Sequence, residues 1–285
     1  WQYTMTQPDL LRNRVALALS EIFVISEFPD LEDQPLGLAD YYDLLLNNAF
    51  GNYRDLLYKV TMHPTMGFYL TSVNNFKTTP EFNRFPDENY AREIMQLFSI
   101  GLFELNQDGT RKLDAGGNPI PTYDNNDIKE FAKIFTGLAP AGYYWPWQNY
   151  SNLSTEWGSE FNESPATVIT WEPMIPFNNW HETGAKYLLN NEVVPSGQTT
   201  LKDINDAIDN LFNHSNVGPF IGKLLIQRLV KSNPTPAYVS RVAAKFNDNG
   251  EGIRGDMEAV IRAILTDAEA LDCSWIDDPH AGKLR

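Results

Sequence analysis

The sequence contains one cysteine in 285 residues, so no disulfide can form within the chain. It is also poor in positive charge, with 22 lysines and arginines against 37 aspartates and glutamates and a net charge of −15. Nucleic acid and anionic lipid would both be repelled, which disfavours them as partners. No apolar run reaches about 18 residues, so we predict no membrane span.

The short motifs of several enzyme classes are missing as well. The chain has no P-loop, no dinucleotide-binding fingerprint, no Gly-x-Ser-x-Gly elbow and no His-Glu-x-x-His pair. No compact ligand motif is present, so we assign no metal site, and the sequence leaves any cofactor unknown. The balance of 42% hydrophobic and 21% charged residues is that of an ordinary globular protein.

What the sequence does contain is one dominant stretch, 85–101, which predicts a helix over 86–101. Proline and acidic residues suit its start, and Gly101 suits its end. A core stripe is predicted from apolar residues at three- and four-residue spacing: Tyr90, Ile94, Leu97 and Phe98.

The same helix carries polar residues that need an explanation. Asn89, Glu93 and Gln96 share one face, and Arg92 lies beside them. We expect Arg92 and Glu93 to be largely buried, each with a charged or amide partner. Three interpretations stay open: a structural polar network, the wall of an active site or ion site, and a solvated face.

Periodicity elsewhere predicts a mainly α fold: a single multi-helix domain over 1–285 with a β-hairpin and an aromatic-rich irregular insertion. Asp-Gly and Gly-Gly pairs between short apolar runs place the hairpin turns within 103–118. Besides the central helix, we expect helices near 9–26, 38–50, 53–62, 65–72, 128–135, 201–212, 217–230, 237–246 and 253–265.

The insertion, residues 139–180, holds five of the seven tryptophans. Its prolines forbid a long helix. Such aromatic residues either fill the core of the domain or form a platform for sugar rings or peptides. The candidates for ligand binding are Trp145, Trp147, Trp157, Trp171 and Trp180.

Several blocks of the chain together resemble a bacterial family known as domain of unknown function 1800. Asn89, Arg92, Glu93, Leu97 and Gly101 match its pattern Asn-x-x-Arg-Glu-Leu-x-Glu-Leu-x-Thr-Leu-Gly, whereas Gln96 replaces the second glutamate. That replacement weakens any mechanism with two carboxylates. Further blocks are similar around 63–70, 123–137 and 181–189, and the resemblance covers most of the chain outside 139–176.

The resemblance has consequences for localisation and for candidate residues. Members of the family are longer and carry an export signal, so we expect a processed or partial product of an exported bacterial protein, in the periplasm, on the cell surface or outside the cell. The resemblance also marks His181 and Lys186, and His63, which precedes a proline. His63 is either a cap at a helix C-terminus or a functional group.

Two functions remain open. The first is a hydrolase acting on an extracellular polymer or surface glycan, with candidate catalytic residues His63, Asn89, Arg92, Glu93, His181 and Lys186. The second is a non-catalytic cell-surface or assembly module in which these residues form a buried polar lock. Its partner would be a polysaccharide or a cell-surface protein. In both cases His63 and His181 are expected to lie near Glu93, because buried polar groups are tolerated where they satisfy one another.

Overall fold

A computed structural model describes residues 8–27, 31–142, 169–273 and 282–283, and helices account for about half of these residues. The described part contains eleven α-helices: α1 Leu10–Ser20, α2 Pro35–Asn47, α3 Tyr53–Met62, α4 Pro64–Tyr69, α5 Asn89–Gln96, α6 Asn125–Ile134, α7 Thr200–Phe212, α8 Val217–Leu229, α9 Pro236–Asn247, α10 Met257–Thr266 and α11 Ala268–Leu271. The predicted mainly α fold is confirmed.

The strands are short. Two antiparallel pairs are formed by β1 Leu138–Ala139 with β2 Ile175–Pro176, and by β3 Lys186–Tyr187 with β4 Val193–Val194. Three-residue 3₁₀ turns lie at Pro80–Phe82, Asn178–Trp180 and Leu189–Asn191. The turns predicted within 103–118 belong to a narrow meander, held by bridges that pair Phe103 with Pro121, Leu105 with Arg111 and Leu113 with Pro119.

One hydrophobic cluster runs through the helices from Val15 in α1 to Ile264 in α10. Helix α8 packs on α1, α9 and α10, α3 packs on α7, and α6 joins α5, α7 and β3. Most of the 139–180 insertion lies outside the described residues. None of the described helices is long and apolar enough to cross a membrane.

The central helix is shorter than the sequence indicates. Asp87 caps it from outside, because its Oδ1 accepts a hydrogen bond from the Asn89 amide at 2.8 Å. Beyond Gln96 the chain leaves the α-helical pattern, and the amides of Ile100 and Gly101 both donate to the Met95 carbonyl, at 3.0 and 2.9 Å. Helix α5 therefore ends before Gly101, which has a φ of +71°.

The core stripe of α5 is mostly as predicted, with Tyr90, Ile94 and Phe98 buried. Leu97 is the exception: it is 38% exposed and lies just after Gln96, the last helical residue. Two other helices are also shorter than the sequence predicts. Helix α1 ends at Ser20 rather than near 26. Helix α10 begins only after the Asp256 side chain, which accepts from the Ala259 amide.

Candidate functional site

A buried charge cluster joins His181 and Lys186 to Asp203, a carboxylate that the sequence analysis did not single out. Nε2 of His181 lies 2.8 Å from Oδ2 of Asp203, and Nζ of Lys186 donates a hydrogen bond to the same oxygen. The three side chains are at most 1% exposed. Two of the six candidate catalytic residues therefore meet, and they meet in a closed site.

The hydrogen bonds on the other side of His181 fix a proton on its ring. Nδ1 lies 3.0 Å from the Thr136 carbonyl and 3.1 Å from the Thr136 hydroxyl. That hydroxyl donates its own hydrogen to the Lys133 carbonyl at 2.7 Å, so it can only accept from His181. Nδ1 therefore acts as the donor on this side of the ring, and Nε2 faces Asp203 Oδ2 at 2.8 Å.

Asp203 is held as an anion by its neighbours. Burial on its own raises the pKa of this carboxyl, but hydrogen bonds from His181, Lys186 and Gln198 lower it below its usual range. Gln198 Nε2 donates to Asp203 Oδ1 at 2.8 Å and to Asp206 Oδ2 at 2.9 Å. Every oxygen of Asp203 is thus engaged by the protein itself.

Two local features position this cluster. The Thr199 side chain caps α7, which puts Asp203 in its first turn, where the helix dipole favours an anion. Gly137 has a φ of +76°, and a Cβ there would lie 2.8 Å from the Phe177 carbonyl oxygen and 2.9 Å from the His181 amide. Only glycine lets the chain before His181 approach so closely.

The sequence did contain a signal for Asp203. Ala207 and Leu211 follow it at spacings of four residues, and both are fully buried. Asp203 therefore falls on the apolar stripe of α7. A carboxylate on such a stripe indicates a buried partner.

His63 occupies the junction between α3 and α4 and is 4% exposed. Its side chain caps the start of α4, because Nδ1 accepts from the Thr65 amide at 3.1 Å, while Nε2 lies 3.1 Å from Asp40 Oδ2. His63 is the C-cap residue of α3, as expected, but its imidazole caps the following helix, α4. Burial lowers the pKa of His63, and the hydrogen bond to Asp40 acts against that shift.

The polar face of α5 differs from the expected buried pair. Asn89 is exposed, and the Arg92 side chain is 41% exposed with its guanidinium 3.4 Å from Glu88. Glu93 is half-buried, and its Oε2 has no hydrogen-bond partner among the described residues. Burial raises the pKa of Glu93, and Arg92 moderates the shift. The prediction that both residues are largely buried was wrong, because the face is open to solvent at one side. Arg92 does have the expected charged partner in Glu88, whereas Glu93 Oε2 has none among the described residues.

The contacts of the candidates do not form a single centre. His63 bonds to α2 and α4, whereas His181 bonds to Thr136 and Asp203, and the two share no hydrogen-bond partner among the described residues. Among the described residues, no group of three or more histidine, cysteine and acidic side chains is arranged to hold a metal ion.

The aromatic candidates fall into two groups. Trp180 is 7% exposed and packs edge-on against Phe76, with ring centroids 6.3 Å apart, whereas Trp171 is 44% exposed. Trp180 thus packs within the protein and offers no open face for a sugar. Trp145, Trp147 and Trp157 lie outside the described residues.

Comparison with known families settles kinship. The model of the family described as "Protein of unknown function (DUF1800)" matches residues 1–285, the whole chain. The chain belongs to this family. No curated protein and no solved structure matches it.

In this DUF1800 chain the signature residues in and just after α5 have different roles. Gly101 supplies the left-handed turn after the helix. Gln96, which replaces the glutamate of the pattern, lies with its Oε1 at 3.5 Å from the Tyr123 hydroxyl. The signature is therefore partly a packing requirement and partly an accessible polar face.

Proposed function

We propose that this chain is a non-catalytic interaction module of an exported bacterial protein, acting at the cell surface or in assembly. The observation that carries the proposal is the closed cluster of His181, Lys186 and Asp203. Acid–base catalysis requires a side chain within hydrogen-bond reach of the substrate. These three side chains are at most 1% exposed and bond to one another, which supports a structural lock.

The charge of the molecule narrows the kind of partner. A net charge of −15 disfavours nucleic acid and anionic lipid.

Export from the cytoplasm is part of the proposal. It is tested by fractionating the source bacterium and detecting the native protein with an antibody. Recovery in the periplasmic, surface or secreted fraction is expected, and recovery in the cytosol alone contradicts it.

The absence of catalysis is tested with purified protein and a panel of bacterial polysaccharides and proteins. Release of reducing ends and of free amines is measured over a long incubation. We expect no release above that of a heat-inactivated sample. Release that follows the protein through purification, and that is lost in a folded Glu93→Gln variant, would overturn the proposal.

A hydrolase is the second candidate, and Glu93 is the observation that favours it. A carboxyl with a raised pKa, an unpartnered oxygen and a neighbouring arginine is suited to act as a general acid. Of the two candidates whose pKa is shifted, Glu93 and His63, Glu93 is the more exposed, although its unpartnered Oε2 is buried. The Glu93→Gln arm of the same assay decides between the two functions.

A further inference from the structure

A groove of about 470 Å³ opens between the end of α5, the meander and α8. That volume is within the range of ligand-binding pockets. None of the originally proposed catalytic residues lines it. The lining consists of two glycines, two amides, two cations and six apolar side chains: Gly101, Gly109, Gln96, Gln227, Arg111, Lys223, Leu97, Leu102, Phe103, Leu105, Phe220 and Leu224.

The groove has a rigid frame, provided by Asn216 at the start of α8. Its Nδ2 donates to the carbonyls of Ile100 and Phe103, both at 2.8 Å, and its Oδ1 accepts from the Leu105 amide at 2.9 Å. Asn216 is fully buried. Three hydrogen bonds from one buried amide thus fix the 100–105 segment against α8, so the groove is formed before any partner binds.

Gly101 shapes the floor of the groove. A Cβ on this residue would lie 2.8 Å from Cε2 of Phe220, so the ring rests directly against the backbone. The walls are largely aliphatic, and Leu97 and Leu102 are 38% and 50% exposed. Aliphatic walls of this kind suit the apolar side chains of a peptide. A sugar ring would need an open aromatic face, and Arg111 covers the ring of Phe103 at 4.5 Å.

The charge of the groove is opposite to that of the molecule. Arg111 is exposed and Lys223 is half-buried, and no carboxylate lines the groove. Neither cation forms a salt bridge with the described residues. Glu104, the acidic residue next to Phe103, is engaged by Lys112 at 3.1 Å and by His214 at 3.4 Å. Two cations without a carboxylate partner beside an apolar surface are complementary to an acidic, apolar ligand.

We propose that this groove binds an acidic peptide segment of a partner protein, with aliphatic side chains against the leucines and carboxylates at Arg111 and Lys223. The inference rests on the proposed interaction function and names the partner's chemistry. The net charge of −15 opposes approach of an acidic segment, but exposed charges are screened beyond about 8 Å at physiological salt. Binding is therefore determined by Arg111 and Lys223, the two cations in direct contact with the peptide.

The probe is a fluorescein-labelled peptide of alternating leucine and aspartate. The control peptide has asparagine in place of aspartate. Fluorescence anisotropy is measured at physiological salt with the full chain. We expect saturable binding of the acidic peptide, weakened at least about tenfold in the asparagine peptide and in the double variant Arg111→Glu/Lys223→Glu. Binding should also weaken as salt is raised.

Matched variants separate the groove from general charge and hydrophobicity. Lys129→Glu reverses an exposed cation of α6 outside the groove, and we expect it to retain more affinity than either single reversal, Arg111→Glu or Lys223→Glu. Leu102→Gln removes an exposed wall of the groove, whereas Leu113→Gln removes a leucine 57% exposed elsewhere on the meander. Only Leu102→Gln should weaken the peptide. Circular dichroism verifies that each variant is folded.

Several outcomes would overturn the inference. They are no saturation up to about 1 mM peptide, equal binding by the double variant, or equal loss in Lys129→Glu. Binding of an oligogalacturonate in place of the peptide would assign the groove to an acidic glycan instead. Self-association in sedimentation that Leu102→Gln abolishes would assign it to a second copy. None of these outcomes contradicts the proposed non-catalytic function. Turnover in the hydrolysis assay would contradict that function, and peptide binding to the groove could still be measured.

Discussion

At the residue scale, Asp203 shows why a buried carboxylate is retained in this fold. It lies in the first turn of α7 and bonds to His181 and Lys186, both from the segment that precedes this helix. Removing a charge from water is costly unless partners replace the lost hydration. The cluster therefore joins an irregular segment to a helix through three buried groups that satisfy one another.

Removing the cation should reveal the cost of an uncompensated charge. We expect Lys186→Met to lower the free energy of unfolding by about 3–5 kcal/mol, since the buried Asp203 carboxylate loses its Lys186 partner. Lys202→Met is the matched control. Lys202 is 57% exposed and paired with Asp206 within α7, so its loss should cost less than about 1 kcal/mol. Urea unfolding measures both, and equal midpoint shifts would contradict the lock.

Glu93 should behave in the opposite sense. Burial raises its pKa in the folded state, so the fold pays to keep this carboxylate ionised above that pKa. Glu93→Gln is therefore expected to stabilise the protein at pH 7, by less than about 1 kcal/mol because the side chain is half-exposed. The gain should fade as the pH is lowered and wild-type Glu93 takes up its proton.

Thermal unfolding of wild type and Glu93→Gln at pH 7 and at pH 4 measures this difference. Arg92→Gln is a useful comparison, because it removes the neighbouring cation that moderates the shift. That variant should be less stable than wild type at pH 7. A large destabilisation by Glu93→Gln at pH 7 would show instead that the carboxylate has a stabilising partner.

Some residues of the cluster could be predicted from the sequence and one could not, for a physical reason. His181 and Lys186 were singled out because their block, residues 181–189, resembles the family pattern. Asp203 lies in an ordinary amphipathic helix, where an acidic residue in the first turn also suits the dipole. Its partners are 17 and 22 residues away in sequence. Periodicity shows that it faces the core but cannot show which cation it meets there.

At the scale of elements, helix boundaries depended on single side chains. The sequence predicted the existence of α5 correctly but extended it by several residues. Asn75 Oδ1 accepts from the Asp87 amide at 2.7 Å, which holds the approach to α5 in a loop. This contact joins residues 12 positions apart, so no local pattern contains it. Tertiary hydrogen bonds of this kind override local helix propensity.

Gly137 provides a test of how two elements approach each other. Gly137→Ala should lower the free energy of unfolding by at least about 2 kcal/mol, because a positive φ and a contact with rigid backbone both penalise a Cβ. Gly117→Ala is the control, since its φ is +83° but nothing lies within 4 Å. It should cost about 1 kcal/mol. Guanidinium unfolding compares the two, and equal costs would mean that the contact at Gly137 relaxes.

At the scale of the whole molecule, the helical content and a single core follow from the apolar pattern. The cluster that begins at Val15 also includes Met174 from the insertion, and Leu188, Leu189 and Val194 from the segment after it. That segment is irregular, with only short strands and 3₁₀ turns, so its hydrophobic residues show no period that sequence reasoning could use. Its attachment to the helices became visible only in three dimensions.

This shared core predicts one cooperative unfolding unit. Far-ultraviolet circular dichroism reports mainly on the helices, whereas tryptophan fluorescence reports mainly on residues 139–180, which hold five of the seven tryptophans. Because Trp180 is buried and His181 is locked to α7, we expect the two probes to share one urea midpoint. In Lys186→Met both midpoints should fall together. A fluorescence transition at lower urea than the loss of helix would contradict a single domain, since the insertion would then unfold while the helical core remained intact.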